Sequence, residues 1–182
     1  LHTKAFPAHA TTETAARAEQ VAAAAAKPSP AVNPDFYRRM MRFIELDRQD
    51  STFSGCVWDG KLTRVDENKL SAEFVVNERQ ADTSGVLHGG CTTTLVDMLT
   101  CAALISATGN PALSVNLGMS YMNPAPIGSL VRLDAEVVKV SRSLAYTSAE
   151  LVRVDDGAQI ASAKHTLAFN ERVTAHGQVY AL

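Results

Sequence analysis

The chain is short of the features that mark several function classes. It has three cysteines, Cys56, Cys91 and Cys101, an odd number without paired spacing. Neither a disulfide framework nor a metal knuckle follows, and a reducing compartment is the simpler expectation. Positive charge is not in excess: the net charge is −2, no nucleic-acid module is visible, and an anionic ligand must be gripped locally. Long apolar runs are missing too. The longest, around residues 95–107, is interrupted by Asp97 and reads as too short to cross a bilayer. No internal repeat is present. What remains is 182 residues, 46% hydrophobic and 20% charged, the balance of one ordinary soluble domain with tails.

Residues 1–31 read as an Ala-rich extension ending in the linker Lys27-Pro28-Ser29-Pro30. Glu13 and Glu19 make it a poor match to a mitochondrial presequence, and the compartment stays open between cytoplasm and mitochondrion. Asn33-Pro34-Asp35 reads as a helix start, and Phe36, Met40, Phe43 and Ile44 follow at helical spacing. Residues 32–53 are therefore an amphipathic helix and linker, 54–171 the main domain and 172–182 a tail. Within the domain, Val57 to Val65 reads as strand and turn, and Leu70, Ala72, Phe74 and Val76 alternate cleanly.

After a polar loop from Asn77 to Leu87, about eighteen small and apolar residues run from His88-Gly89-Gly90 to the helix stop Gly109-Asn110-Pro111. A helix apolar on nearly every side must be wrapped by other structure. Leu113, Val115, Leu117, Met119 and Tyr121 then alternate with Ser114, Asn116, Gly118 and Ser120, and strands follow at about 130–140, 144–154 and 158–169. Asp155-Asp156-Gly157 is a hairpin turn. Strands, one buried helix, then four consecutive strands describe an α+β fold, an antiparallel sheet curled around one long helix.

Two features carry chemistry. His88-Gly89-Gly90 opens the buried helix, where free backbone N–H groups meet the positive end of the macrodipole and glycine lets a ligand approach. An oxyanion would be stabilised there, although two glycines also suit a mere tight turn. Asp97 sits mid-helix in the most apolar segment of the chain. A buried lone carboxylate is costly unless it is paired or used, and apolar surroundings suit a general base; a structural Asp bonded to a neighbouring strand is the bland alternative. Gly89 and Asp97 are eight residues apart, about 12 Å along one helix, whereas attack on a carbonyl needs contact at ~3–3.5 Å. If both act on one substrate they come from different subunits, so the catalytic reading requires a homodimer.

Leu87-His88-Gly89-Gly90, Thr94-Leu95-Val96-Asp97, Ser114-Val115 and Tyr121-Met122-Asn123-Pro124-Ala125 together resemble the HGG-type acyl-CoA thioesterases of the hotdog superfamily. The pattern is similar to mammalian mitochondria-associated acyl-CoA thioesterases and bacterial phenylacetyl-CoA thioesterases over about residues 55–169. The resemblance implies a hotdog fold with an extra N-terminal helix, and a tetramer built as a dimer of dimers. It also implies hydrolysis of acyl-CoA without metal or organic cofactor, coenzyme A being part of the substrate. By the same resemblance Asp97 activates water or attacks the thioester, Ser114 holds the water, Gly89 polarises the carbonyl and His88 supports the loop. Gly90, the stretch Tyr121, Met122, Asn123 and Pro124, and the turn Lys139, Val140, Ser141, Arg142, Ser143 and Leu144 match segments that contact coenzyme A. Lys139 and Arg142 flank a turn where they could pair with phosphates. Pro124 and Pro126 could equally just end a strand. Lys164-His165 resembles a basic-His pair of the family, yet a lone His on a strand is more often structural.

One departure stands out. The family has Asn six residues before the histidine, and this chain has Asp82. An ionised Asp cannot donate a hydrogen bond to a carbonyl; it is protonated, points away, or shares the base role. Two rivals follow. A hydratase acting on an acyl thioester would want an Asp/His pair closer in sequence than Asp82 and His88. A non-catalytic acyl-CoA binding or scaffold protein would explain Asp82.

Overall fold

The computed structural model describes residue 16 and residues 27–47 and 53–169; most of the expected N-terminal extension and the expected tail at 172–182 lie outside the described residues. Asn33 starts the first helix: its Oδ1 accepts the Asp35 amide at 2.8 Å, and α1 runs Pro34–Asp47. Met40 and Ile44 of its apolar stripe are buried in the core. The stretch that follows departs from expectation. Phe53–Val57 forms a short helix, α2, in which the Trp58 amide donates to the Ser54 carbonyl at 2.9 Å. The first strand, β1, spans only Gly60–Val65. A short apolar run carries too few residues for periodicity to separate helix from strand.

The other strands are β2 (Lys69–Val75), β3 (Ala112–Tyr121), β4 (Leu130–Val140), β5 (Leu144–Arg153) and β6 (Gln159–Phe169). They form a six-stranded sheet in the order β1-β2-β4-β5-β6-β3, antiparallel throughout. Between β2 and β3 runs the long helix α3, Gly89–Thr108, of 20 residues. The chain therefore leaves β2, crosses the sheet as a helix and returns at the far edge beside β6. That route leaves β1 and β3 as the two edges.

Leu95, Leu99 and Leu104 of α3 are fully buried and share one core with Phe74, Leu133, Leu151 and Leu167 from four strands. Each such side chain contributes ~1.5–3 kcal/mol of burial. By length and composition α3 could cross a membrane, a property the sequence reading had denied its apolar run. Its most apolar window is 67% buried inside the protein, so packing and not shortness makes it a core helix. The helix ends at Gly109, whose φ of 70° lies in the left-handed region and whose amide donates to the Ile105 carbonyl at 2.8 Å. A Cβ at Gly109 would collide with the Phe36 ring of α1, so this glycine also sets how closely α1 docks.

Candidate active site

His88 caps α3 with its own side chain: Nδ1 accepts the Gly90 amide at 2.9 Å, and its extended backbone (φ −66°, ψ 133°) turns the chain into the helix. The His88 amide donates to the Gln80 carbonyl at 2.9 Å, and Gln80 is itself buried, with its amide group on the Val57 carbonyl at 2.7 Å. The helix entrance is thereby tied to two preceding segments. Tyr121, at the far end of β3, donates to the Gly89 carbonyl at 3.0 Å and lies 2.7 Å from the Thr93 hydroxyl. A Cβ built on Gly89 would meet the Tyr121 ring at 3.6 Å, an ordinary contact. His88, Gly89, Gly90 and Tyr121 thus form one cluster around the positive end of the helix.

A second cluster lies two turns along. Asp97 Oδ1 accepts the Ser114 hydroxyl at 2.8 Å and lies 3.5 Å from Nε2 of His165. The sequence reading placed Asp97 in the buried interior; its side chain is 47% exposed. It projects from the flank of α3 toward β3, which is an edge strand of the sheet among the described residues.

Ser114 reaches Asp97 because β3 is irregular. Ser114 pairs with Leu167 and Asn116 with Thr166, leaving Val115 as a bulge. Directly opposed residues of an antiparallel pair share a face. Ser114 therefore joins Leu167 on the helix side, and Leu117 joins His165 there, with the usual alternation shifted by one between them. The uninterrupted alternation expected from Leu113 to Tyr121 is corrected accordingly: Leu117 and Met119 pack on the core, while Leu113 and Val115 are exposed.

His165, which the sequence suggests is structural despite its likeness to a basic-His pair, lies against the Asp97 carboxylate. It is 1% exposed, and its Nδ1 lies 2.8 Å from the Thr100 hydroxyl. Burial pushes its pKa below the ordinary histidine value, and the Asp97 charge opposes that shift more weakly. The signal available was its period: two residues from Leu167 and two from Ala163, both buried, it had to face α3. Cys101, one turn beyond Asp97, completes the group: ligand atoms of Asp97, Cys101 and His165 all lie within 4.8 Å of one another.

Asp82 stands apart from that cluster. Its Oδ1 accepts the Ser84 hydroxyl at 2.6 Å and the Ser84 amide at 2.8 Å. Those two bonds hold its carboxyl below the ordinary range, with the His88 charge as a minor contributor. It is an ionised turn-holder and donates to nothing. The expected phosphate-binding turn is a tight hairpin in which the Ser141 amide and hydroxyl both donate to the Leu144 carbonyl at 2.8 Å. Lys139, Val140, Ser141, Arg142 and Ser143 are all exposed on it. Met122, Asn123 and Pro124 are exposed beyond β3; Asn123 donates to the Gln159 carbonyl at 2.7 Å and the Pro124 carbonyl accepts from Arg153 at 2.6 Å. A polar groove of about 600 Å³ on the sheet, lined by Arg132, Asp134 and Glu136 among others, shares no residue with either cluster.

The thioesterase superfamily profile matches residues 84–160, a span that holds Asp97, Ser114 and the helix entrance. A putative esterase of Caenorhabditis elegans is 40% identical over 130 residues, covering 71% of this chain and 77% of that protein. Human acyl-coenzyme A thioesterase 13 is 39% identical over 110 residues, covering 59% of this chain and 79% of its own. Among solved structures, zebra fish thioesterase superfamily member 2 superposes with a TM-score of 0.68 at 30% identity, over 71% of this chain and 94% of that one.

Proposed function

The chain belongs to the thioesterase superfamily, and from that membership we propose that it hydrolyses acyl-CoA thioesters to the free acid and coenzyme A at a site shared by two protomers. The observation that carries this reading is the half-exposed Asp97 carboxylate, fixed by the Ser114 hydroxyl at 2.8 Å on the flank of the helix whose entrance presents Gly89.

Both neighbours of the carboxylate fall on Oδ1, which leaves Oδ2 for an attacking water. Asp97 takes the proton of that water as oxygen bonds to the thioester carbonyl carbon. The carbonyl electrons move to oxygen, where the Gly89 amide and the helix dipole receive the charge; one such donor is worth roughly 2.7–4 kcal/mol. Collapse of the intermediate breaks the C–S bond, and the thiolate leaves with the exposed Lys139 and Arg142 available to its phosphates. The nucleophile is water, so the reaction needs no organic cofactor.

Gly89 and Asp97 of one helix are about 12 Å apart, too far to act on one carbonyl. The unpaired edge of β3, with Leu113, Val115, Tyr121 and Met122 exposed along and just beyond it, supports pairing with the same edge of a second protomer. Such a pair sets Asp97 of one subunit beside Gly89 of the other. Two pairs assembling into a tetramer is the finer form of the proposal, read out by solution mass.

The test is release of CoA thiol from acyl-CoAs of increasing chain length. Turnover by the wild type with loss in a folded Asp97→Ala chain supports hydrolysis at this site. Binding of acyl-CoA without release of thiol replaces this reading with an acyl-CoA binding protein.

A further inference from the structure

We infer that Asp97, Cys101 and His165 form a binding site for a thiophilic divalent cation of the zinc class, and that the bound ion silences the hydrolytic site. Asp97 and Cys101 are four apart on α3 and so share a face, and His165 approaches from β6. Their ligand atoms lie within 4.8 Å of one another, with Asp97 Oδ1 and His165 Nε2 at 3.5 Å. Zinc–ligand distances of ~2.0–2.3 Å in a tetrahedron imply edges of ~3.3–3.8 Å, so the carboxylate and imidazole already stand at the right separation. Thiolate with imidazole selects zinc-like ions over magnesium or calcium. The odd, unpaired spacing of the cysteines hid this arrangement in the sequence, because its partners come from another element.

An independent observation points to a cation here. Nε2 of His165 is buried without a hydrogen-bond partner. The Thr100 hydroxyl lies 2.7 Å from the Val96 carbonyl and 2.8 Å from His165 Nδ1. A cation on Nε2 selects the tautomer protonated at Nδ1, whose N–H donates to the Thr100 hydroxyl while that hydroxyl donates to the Val96 carbonyl. In that tautomer the Nε2 lone pair faces Asp97 Oδ1 at 3.5 Å. A metal ion uses both lone pairs, and the Nδ1–H···Thr100 bond is the orienting contact that metal-binding histidines carry.

Binding replaces the Cys101 S–H bond with an S–metal bond and releases the proton to solvent. Two negative ligands and one neutral one then balance the dication. The exposed side of Asp97 leaves a fourth position for water. Metal binding does not depend on the hydrolase reading; the inhibition does.

Full-length protein in metal-free buffer is titrated with Co²⁺, without substrate. A near-ultraviolet thiolate-to-cobalt band with intense tetrahedral visible bands, saturating at one ion per chain and displaced by Zn²⁺, is expected. Cys101→Ser and Cys101→Ala both lose the thiolate band and at least tenfold in affinity, whereas Cys91→Ser keeps both. Zn²⁺ then slows loss of thioester absorbance in the wild type, whereas Cys101→Ser, compared with its own metal-free rate, is slowed only at Zn²⁺ concentrations at least tenfold higher. A wild-type titration without the thiolate band, or a band that survives in both folded Cys101 variants, overturns the site. A metal-binding protein with no hydrolysis in the metal-free state would instead overturn only the hydrolase reading.

Discussion

His165 and Asp97 face each other across 3.5 Å, the ring fully inside the protein and the carboxylate half outside it. The boundary between core and solvent runs between them, so a group that does not ionise easily braces one that must work in contact with water. Ser114 completes the brace from the edge strand.

Replacing Asp97 with Asn keeps the size and the Ser114 contact but removes the base. A general base contributes roughly 10²–10⁴-fold, and kcat for acyl-CoA hydrolysis is expected to fall by that much with KM little changed. Steady-state kinetics on a folded variant measures it; retention of more than a third of the wild-type rate would place the base elsewhere.

The split of the site between protomers is open to a mixing experiment. Gly89 is the first helical residue, a position that tolerates proline, and His88 already has the extended backbone that a following proline requires. Gly89→Pro thus removes the amide donor and leaves the helix intact, with an expected loss of roughly 10²–10³-fold in kcat. Mixed with inactive Asp97→Ala and allowed to exchange subunits, it should regain roughly a quarter of wild-type activity, since half the pairs are mixed and each has one whole site. No recovery after demonstrated exchange would mean that a single chain holds the entire site.

Burial holds His165 below the ordinary value of 6.5, so the unfolded chain takes up that proton first as pH falls. The stability this residue contributes is full above the ordinary value and drains away beneath it. Urea unfolding with a chelator present should show the wild type weakening from pH 7 to 5.5, and His165→Gln losing less over the same interval. Asp82, held below 3.8, stays ionised throughout that window and does not contribute to the slope. A pH slope identical in wild type and variant would remove His165 as its source.

Gly109→Ala is expected to destabilise. A left-handed backbone costs a non-glycine residue roughly 1–2 kcal/mol, and here the new methyl also meets the Phe36 ring. Chemical denaturation should show the larger loss, and Phe36→Ala in the same chain should return the part that belongs to the collision.

The helices declared themselves in sequence wherever a chemical signal marked their ends. Asn33 and Pro34 fix the start of α1, and Gly109-Asn110-Pro111 fixes the end of α3, because capping and chain reversal are local events. That Asp97, Ser114, Gly89 and His88 are candidates was legible from their match to the family pattern. Three things were not. The bulge at Val115 leaves clean alternation on either side of it, and only the register against β6 reveals it. The exposure of Asp97 depends on which strand lies at the edge, a matter of topology. His165 and Cys101 are 64 residues apart in sequence, and nothing short of the fold brings them together.

Val115 has one more consequence, at the level of the gene. Loss of its single codon would let β3 and β6 pair without interruption, an outcome that costs the sheet nothing and improves its hydrogen bonding. Ser114 already opposes Leu167 on the helix side and Asn116 opposes Thr166 on the other, so both pairings would survive and Ser114 would go on facing the carboxylate. Most small deletions in a strand are removed because the product unfolds. This one would yield a chain that folds, still presents its helix entrance and keeps the hydroxyl that steadies its carboxylate, so the strand can vary in length at this position without loss of the site.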